Sequence, residues 1–391
     1  MNAFFSHLTQ MATKIRDAIA KAELERDGVA LVRGFATPIE CEAMLSRMEA
    51  LVDGWSPPRA GGEVFRTDEA QARTTSDYFL DSADRVHFFM ETGAVDPATG
   101  GLRDALSKQT ALNKVGHGLH VADPVFAAYS FSEKVVSLVT KIGYTDPVLP
   151  QSMYIFKQPG IGGEVTSHQD ATFLHTTPRQ SVLGLWLALQ DATLTNGCVW
   201  ARPGSHREPL RRHFQRNPAH FGDPAAGVVA DPAAPQMIFA KLNDESSDVA
   251  AWAWEGKMPP GGTSTALPSV SVSVEEKAAA LRVAGFVPLE CKAGDLVLIH
   301  ATVDHLSLPN TSPRSRHTFQ LHLVEGPDAG VTWSKENWLQ YGAAADRAAF
   351  PRLRTDGAAV VLACDGGVVT AAGAATAAGA AAGEAEQETE T

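Results

Sequence analysis

The stretch SVLGLWLALQ, residues 181–190, decides the fold class. Side chains alternate between the two faces of a strand. Leu183, Leu185, Leu187 and Leu189 therefore share one face, with Val182, Gly184, Trp186 and Ala188 on the other. Both faces are apolar, the pattern of a strand covered on each side. Ser152 to Phe156, Asp295 to His300 and Arg316 to Val324 read as further strands, separated by turn signals such as Pro159-Gly160, Thr195-Asn196-Gly197 and Ala293-Gly294. Many short strands joined by glycine-rich turns predict a mainly β sandwich or barrel with flanking helices, not a βαβ sheet.

Outward from this centre the chain is less regular. Residues 1–26 read as an N-terminal amphipathic helix, and DGVALVRGF (27–35) as a turn followed by a strand. Thr37-Pro38-Ile39-Glu40 has the form of a capping box with proline in the first turn. Apolar residues at three- and four-residue spacing carry a helix to about Asp53. A main domain over 27–350 is interrupted at about 217–285 by a Pro/Ala/Gly/Ser-rich insertion carrying Trp252 and Trp254 and ending in the helix-like VEEKAAALRVAGF. From 351 to 391 the chain is rich in Ala and Gly, and it is expected to be disordered for want of large apolar residues.

Composition excludes several function classes. The 391 residues hold 33 Lys+Arg against 45 Asp+Glu, a formal net charge of -12, which argues against a nucleic-acid partner. No apolar run is long enough to predict a membrane span. Cys41, Cys198, Cys291 and Cys364 lie far apart without a CxxC pair, which suits a reducing, cytoplasmic setting.

The chemistry begins at His168-Gln169-Asp170. In an extended segment, residues two apart point the same way, so the imidazole and the carboxylate can reach one ion. A second imidazole from a distant strand would complete a two-histidine, one-carboxylate set that leaves coordination positions open, as non-haem Fe(II) oxygenases require. His305 and His300 compete for that place. His305 is favoured because Ser307 and Arg316 follow it, and His300 reads as a core histidine. Arg316 opens a strand with Thr318, Gln320 and His322 on its face, a suitable anchor for a ligand carboxylate.

On these residues, and on TSDYFLDSADRVHFFME (75–91), LNKVGHGLHVADPVF (112–126), QSMYIFKQPGIGGEVTSHQDATFLH (151–175), DATLTNGCVWARPGSH (191–206), GDLVLIHATVDHLSLPN (294–310) and TWSKENWLQ (332–340), the sequence resembles the phytanoyl-CoA dioxygenase family of Fe(II)/2-oxoglutarate oxygenases. The resemblance covers most of 27–350 in order. It implies a double-stranded β-helix, a cupin-like jelly roll. It also implies His168, Asp170 and His305 as Fe(II) ligands, and Lys114, Met153, Trp186, Ser307 and Arg316 as contacts of the 2-oxoglutarate co-substrate. Dioxygen, a small-molecule substrate such as an acyl-CoA, and ascorbate as supporting reductant belong to the same expectation. The insertion and the tail depart from the family pattern and leave substrate choice open.

Blander readings stand beside these. The same ligands would serve a module that binds 2-oxoglutarate without turnover, or a zinc hydrolase, against which the Arg316 anchor counts. Asp170 counts against a halogenase, which would need that coordination position for chloride. His117 and His120, spaced for one helical face, read as pocket wall or structure. Trp186 reads as core and Lys114 as surface. The run Arg202, Arg207, Arg211, Arg212 and Arg216 reads as a solvated loop, with the phosphates of a CoA ester as the alternative partner. Cys198 reads as a buried thiol.

Overall fold

A computed structural model describes residues 2–58, 63–64, 70–104, 106–243, 273–341, 350–353, 361–364 and 367–370. In chain order the strands begin with β1 (Val29–Val32), β2 (Val86–Met90), β3 (Leu112–His117), β4 (Pro147–Lys157) and β5 (Val165–His168). They continue with β6 (Thr176–Thr177), β7 (Leu183–Ala188), β8 (Val199–Ala201), β9 (Arg212–Arg216) and β10 (Met237–Lys241). The last of the domain are β11 (Val287–Leu289), β12 (Leu296–His300), β13 (His305–Ser307), β14 (Arg316–Glu325) and β15 (Thr332–Trp333).

Seven of them form an antiparallel sheet in the order β1-β12-β7-β14-β4-β3-β2, and a second sheet runs β11-β8-β13-β5. Strands distant in sequence are neighbours, the crossed connectivity of a jelly roll. Leu183, Leu185 and Leu187 of β7 and Leu189 just after it, with Phe319, Leu321 and Leu323 of β14, pack into a core closed by helices. Those helices are α1 (Asn2–Asp27), α2 (Pro38–Gly54) and the helix Glu133–Ile142. The opposite face, with Trp186, Ala188, Val297 and Ile299, packs on Val199, Trp200 and Leu306 of the smaller sheet. The double apolar face read from 181–190 thus has one helical and one β cover.

The α2 capping box is formed: Glu40 N donates to Thr37 Oγ1 at 3.2 Å, and Thr37 N donates to Glu40 Oε2 at 2.7 Å. The helix read at the end of the insertion spans Val274–Val283 behind its own capping box. The insertion also contributes β10, paired with β9. Trp252 and Trp254 lie outside the described residues.

Backbone pairing continues past residue 350. Because β3 pairs with β4 only over Ser152–Ile155 in the β4 register, the start of β4 lacks a neighbour on that side. Pro351–Leu353 fills it, with Leu149 N donating to Pro351 O and Leu353 N donating to Pro147 O, both at 2.9 Å. Leu353 enters the core. Further on, Val361–Cys364 pairs antiparallel with Gly367–Thr370, so the stretch expected to lack structure contains a hairpin. An Asp-Gly step between two valine-containing runs is a hairpin signal that averaging over the whole tail conceals. The rest of 354–391 lies outside the described residues.

Candidate active site

All eight residues singled out above, Lys114, Met153, His168, Asp170, Trp186, His305, Ser307 and Arg316, line one cavity of about 160 Å³ between the two sheets. The sheets set them in place. His168 and His305 are direct cross-strand partners on β5 and β13. The extended reading of His-Gln-Asp holds through Gln169; the strand then ends and Asp170 opens a 3₁₀ turn. Gln169 points the other way, donating to Thr302 O at 3.0 Å and accepting from Arg211 N at 3.1 Å, which ties this segment to the turn before His305.

The ring tautomers of both histidines follow from their partners. His168 Nδ1 lies 2.8 Å from Thr166 O and His305 Nδ1 lies 3.1 Å from Val303 O. A carbonyl only accepts, so each Nδ1 carries the proton and each Nε2 lone pair faces inward, the arrangement that orients metal-binding imidazoles. Both Nε2 atoms stand 3.5 Å from Asp170 Oδ1. Among the described residues these three are grouped closely enough to share one ion, with ligand atoms within 4.8 Å of one another. Burial pushes His305 down to about 4, so it is neutral at neutral pH, as a ligand must be. Burial alone would raise the Asp170 carboxyl, but the surrounding imidazoles of His305 and His322 outweigh it and hold the group well below the usual carboxylate range. Asp170 Oδ2 is buried without a hydrogen bond. An uncompensated buried carboxylate beside two aimed imidazole lone pairs fits a divalent cation.

At the other end of the cavity, Arg316 is only 2% exposed, and its Nε lacks a hydrogen-bond partner. The guanidinium lies over the Trp186 ring at 5.2 Å, so Trp186 is both core and pocket wall. A buried guanidinium with no carboxylate partner among the described residues fits a carboxylate ligand. Lys114 is no surface lysine: it is 1% exposed, between the rings of Phe79 and Phe89, and its Nζ donates to His117 Nε2 at 2.9 Å. Ser82 Oγ donates to Phe79 O at 2.6 Å and so accepts from His117 Nδ1 at 2.7 Å, which leaves Nε2 to accept from the lysine.

The remaining candidates resolve into structure. His300 stands apart from the three-residue group, its Nδ1 accepting from Thr302 N at 3.3 Å. His117 and His120 do not share a helical face; His117 ends β3, and His120 is bonded to Ser152 Oγ and Leu149 O. Cys198 is fully buried. The arginine run is engaged within the chain, with Arg211 buried and Arg207 exposed. Arg202 joins Glu208 and Asp304, Arg211 joins Asp304, and Arg207 bonds the carbonyls of Glu25 and Arg26. Arg212 and Arg216 lie over Phe239 and Phe221. Since Asp304 immediately precedes His305, its ion pairs brace the ligand's strand.

Three residues escaped the sequence reading. His322 Nε2 lies 3.5 Å from Asp170 Oδ2. Lys157, buried, donates to Ser307 Oγ at 2.7 Å. A Cβ on Gly184 would come within 3.1 Å of Asp170 Oδ2. His322 left a signal as a member of the polar face that Arg316 opens, and Gly184 as a glycine inside an otherwise bulky strand.

Comparison with known proteins gives the chain a family. Residues 24–318 match the family model described as Phytanoyl-CoA dioxygenase (PhyH). The chain is 40% identical to phytanoyl-CoA dioxygenase 1 of Oryza sativa subsp. japonica over 81% of its own length and 91% of the relative's. It is 38% identical to the mouse phytanoyl-CoA dioxygenase domain-containing protein 1, over 81% and 92%. Among solved structures, the non-heme alpha ketoglutarate dependent epimerase SnoN aligns at a TM-score of 0.49 and 15% identity, covering 86% of this chain and 98% of that one. The chain belongs to the phytanoyl-CoA dioxygenase family, a family of iron- and 2-oxoglutarate-dependent dioxygenases.

Proposed function

We propose that this chain is a 2-oxoglutarate-dependent hydroxylase in which His168, Asp170 and His305 hold Fe(II) and Arg316 with Ser307 holds the far carboxylate of 2-oxoglutarate. The observation that carries the reading is the joining, in one cavity, of a buried carboxylate flanked by two imidazoles with a buried guanidinium that has no carboxylate partner among the described residues. When bound, iron with 2-oxoglutarate and dioxygen supplies the oxidising power: one oxygen atom enters a substrate C–H bond, the other leaves in succinate, and CO₂ is released.

The chain's own work is positional. The Nδ1 bonds to Thr166 and Val303 fix the imidazoles, and the Asp304 ion pairs fix the strand that bears His305. Phe173, Leu174, Phe239, Ile299 and Trp338 close the cavity with apolar surface and keep water from the oxidant. No side chain is required as a general base. Phe239 comes from β10, so the insertion supplies a wall of the substrate space. That wall favours an apolar C–H region in a small molecule. An acyl-CoA is the finer candidate on family grounds. No helix among the described residues is long and apolar enough to cross a membrane, and the buried free thiols Cys41, Cys198 and Cys291 suit the cytoplasm.

The test is purified protein supplied with Fe(II), ascorbate, 2-oxoglutarate and dioxygen. Succinate should form, and a panel of acyl-CoAs and metabolites should yield a product heavier by one oxygen atom. Absence of both succinate and 2-oxoglutarate binding in the iron-loaded protein would refute the reading. Binding without succinate would instead establish the non-turnover module.

A further inference from the structure

Arg316 and Lys157 are directly opposed across β14 and β4, and their side chains project from the same face of the sheet into the cavity. Both are buried, each 2% exposed. Neither forms an ion pair with any described residue. Like charges directly opposite on a sheet repel, and burial multiplies the cost because water cannot screen them. A fold that keeps two such cations together, without a protein counter-ion, has left room for an anion. The placement of Lys157 is built. Its stem runs against Gly197, where a Cβ would come within 2.7 Å of Lys157 Cε, and its backbone carbonyl accepts from Asn310 Nδ2 at 2.7 Å. Its Nζ donates to Ser307 Oγ at 2.7 Å, which turns the serine hydroxyl hydrogen toward another acceptor.

We infer that Lys157 is a second cationic anchor for the far carboxylate of the co-substrate, acting with Arg316 and Ser307, and that it makes the site selective for a dicarboxylic 2-oxo acid. This rests on the 2-oxoglutarate reading above and deepens it. Around the amine stand Arg316 from β14, Ser307 from β13 and Cys198 from the turn before β8. Glu91, held by Asn113 and Gly163, and Glu164, paired with Lys277, also act on it. Burial first, and then Arg316, pull Lys157 down to about 7 against the opposing pull of Glu91 and Glu164. An anion between the two cations restores the lysine's proton, so binding takes up a proton above neutral pH.

The test is calorimetric titration of 2-oxoglutarate and of 2-oxobutyrate, which lacks the far carboxylate, into zinc-substituted, oxygen-inert protein. Lys157→Met should weaken 2-oxoglutarate about 10- to 100-fold, the scale of a lost charge-assisted hydrogen bond, and leave 2-oxobutyrate and zinc affinity unchanged. In the unaltered protein, 2-oxoglutarate affinity should fall about fivefold between pH 7 and pH 8, and 2-oxobutyrate should show no such fall. That arm needs no variant, so a folding failure of Lys157→Met does not remove the test. Equal 2-oxoglutarate affinity in Lys157→Met and the unaltered protein, or a pH-independent affinity, would overturn the role of Lys157 alone. Failure of the unaltered protein to bind 2-oxoglutarate at all would instead bring down the functional reading.

Discussion

The two ends of the cavity carry opposite faults. At one end a buried carboxylate, Asp170, has an oxygen without a hydrogen bond and two imidazole lone pairs aimed beside it, which suits a cation. At the other end two buried cations, Arg316 and Lys157, face each other with no ion pair to a described carboxylate, which suits an anion. Each fault alone is a liability to folding. Together they fit one pair of ligands, a divalent metal and a dianion. A site of this kind would differ from an ordinary buried polar cluster in having its charges balanced by what it binds.

Removing the negative end should have the largest effect. Asp170→Ala deletes a ligand and leaves only two imidazoles, and succinate formation should drop about 1000-fold or more, some 4 kcal/mol in transition-state terms. Metal analysis of the purified variant should show the same loss. A variant that keeps its metal and its turnover would dismantle the negative half of the comparison. At the positive end, Arg316→Met should raise the KM for 2-oxoglutarate about 100-fold with a smaller change in kcat, the pattern of a guanidinium that would bind the co-substrate in ground and transition states alike. The ligand-free variant should melt no lower than the parent, because a buried charge without a counter-ion has been replaced by an apolar side chain. A clear fall in melting temperature would show that Arg316 has a structural partner.

These two ends were not equally legible in the sequence. The metal end follows from side-chain alternation and the His-Gln-Asp spacing, which are local. The far histidine needed a partner chosen from two candidates, and Ser307 and Arg316 in its wake supplied the choice. Lys157 was invisible because a lysine four residues after Met153 looks like any strand-end lysine; only the register that sets it opposite Arg316 reveals it. Lys114 failed for the same reason, its burial resting on Phe79 and Phe89 from elsewhere in the chain. The arginines after 202 misled in the opposite sense, since their partners Asp304 and Glu208 become visible only once the chain has folded back.

Acid and alkali should separate the fold from the site. Burial holds His120 near 3 and His300 and His317 near 4, below the value of about 6.5 for an exposed imidazole. The unfolded chain therefore binds more protons than the folded one below pH 6.5. The stability these neutral rings contribute is complete above that pH and is lost as pH falls toward 4. The denaturant midpoint of metal-free protein should decline steeply between pH 6 and pH 4. From 7 to 8, the interval in which 2-oxoglutarate affinity weakens, it should rise slightly, because the folded chain sheds the Lys157 proton that the unfolded chain keeps. A midpoint that fell with affinity across the alkaline interval would contradict the lowered value of Lys157.

The smallest change probes how closely the negative end is built. Gly184 is the second residue of β7, a strand whose other residues are apolar and mostly large, and its φ is not in the left-handed region. Its lack of a side chain is therefore a matter of space. A Cβ there would meet Asp170 Oδ2 at 3.1 Å and Ile299 Cβ at 3.2 Å, tighter than ordinary contact from both sides. Gly184→Ala should displace the carboxylate by a few tenths of an ångström and weaken metal binding about tenfold, the scale seen when the support of a metal ligand is disturbed. Intrinsic strand preference favours alanine over glycine by roughly 0.5–1 kcal/mol, so the overall fold should survive. The far end of the cavity should not notice: glutarate, which offers carboxylates but no keto group to a metal, should bind the variant and the parent equally. Loss of glutarate binding with metal affinity intact would reverse the assignment and place the carboxylate end, not the metal end, against Gly184.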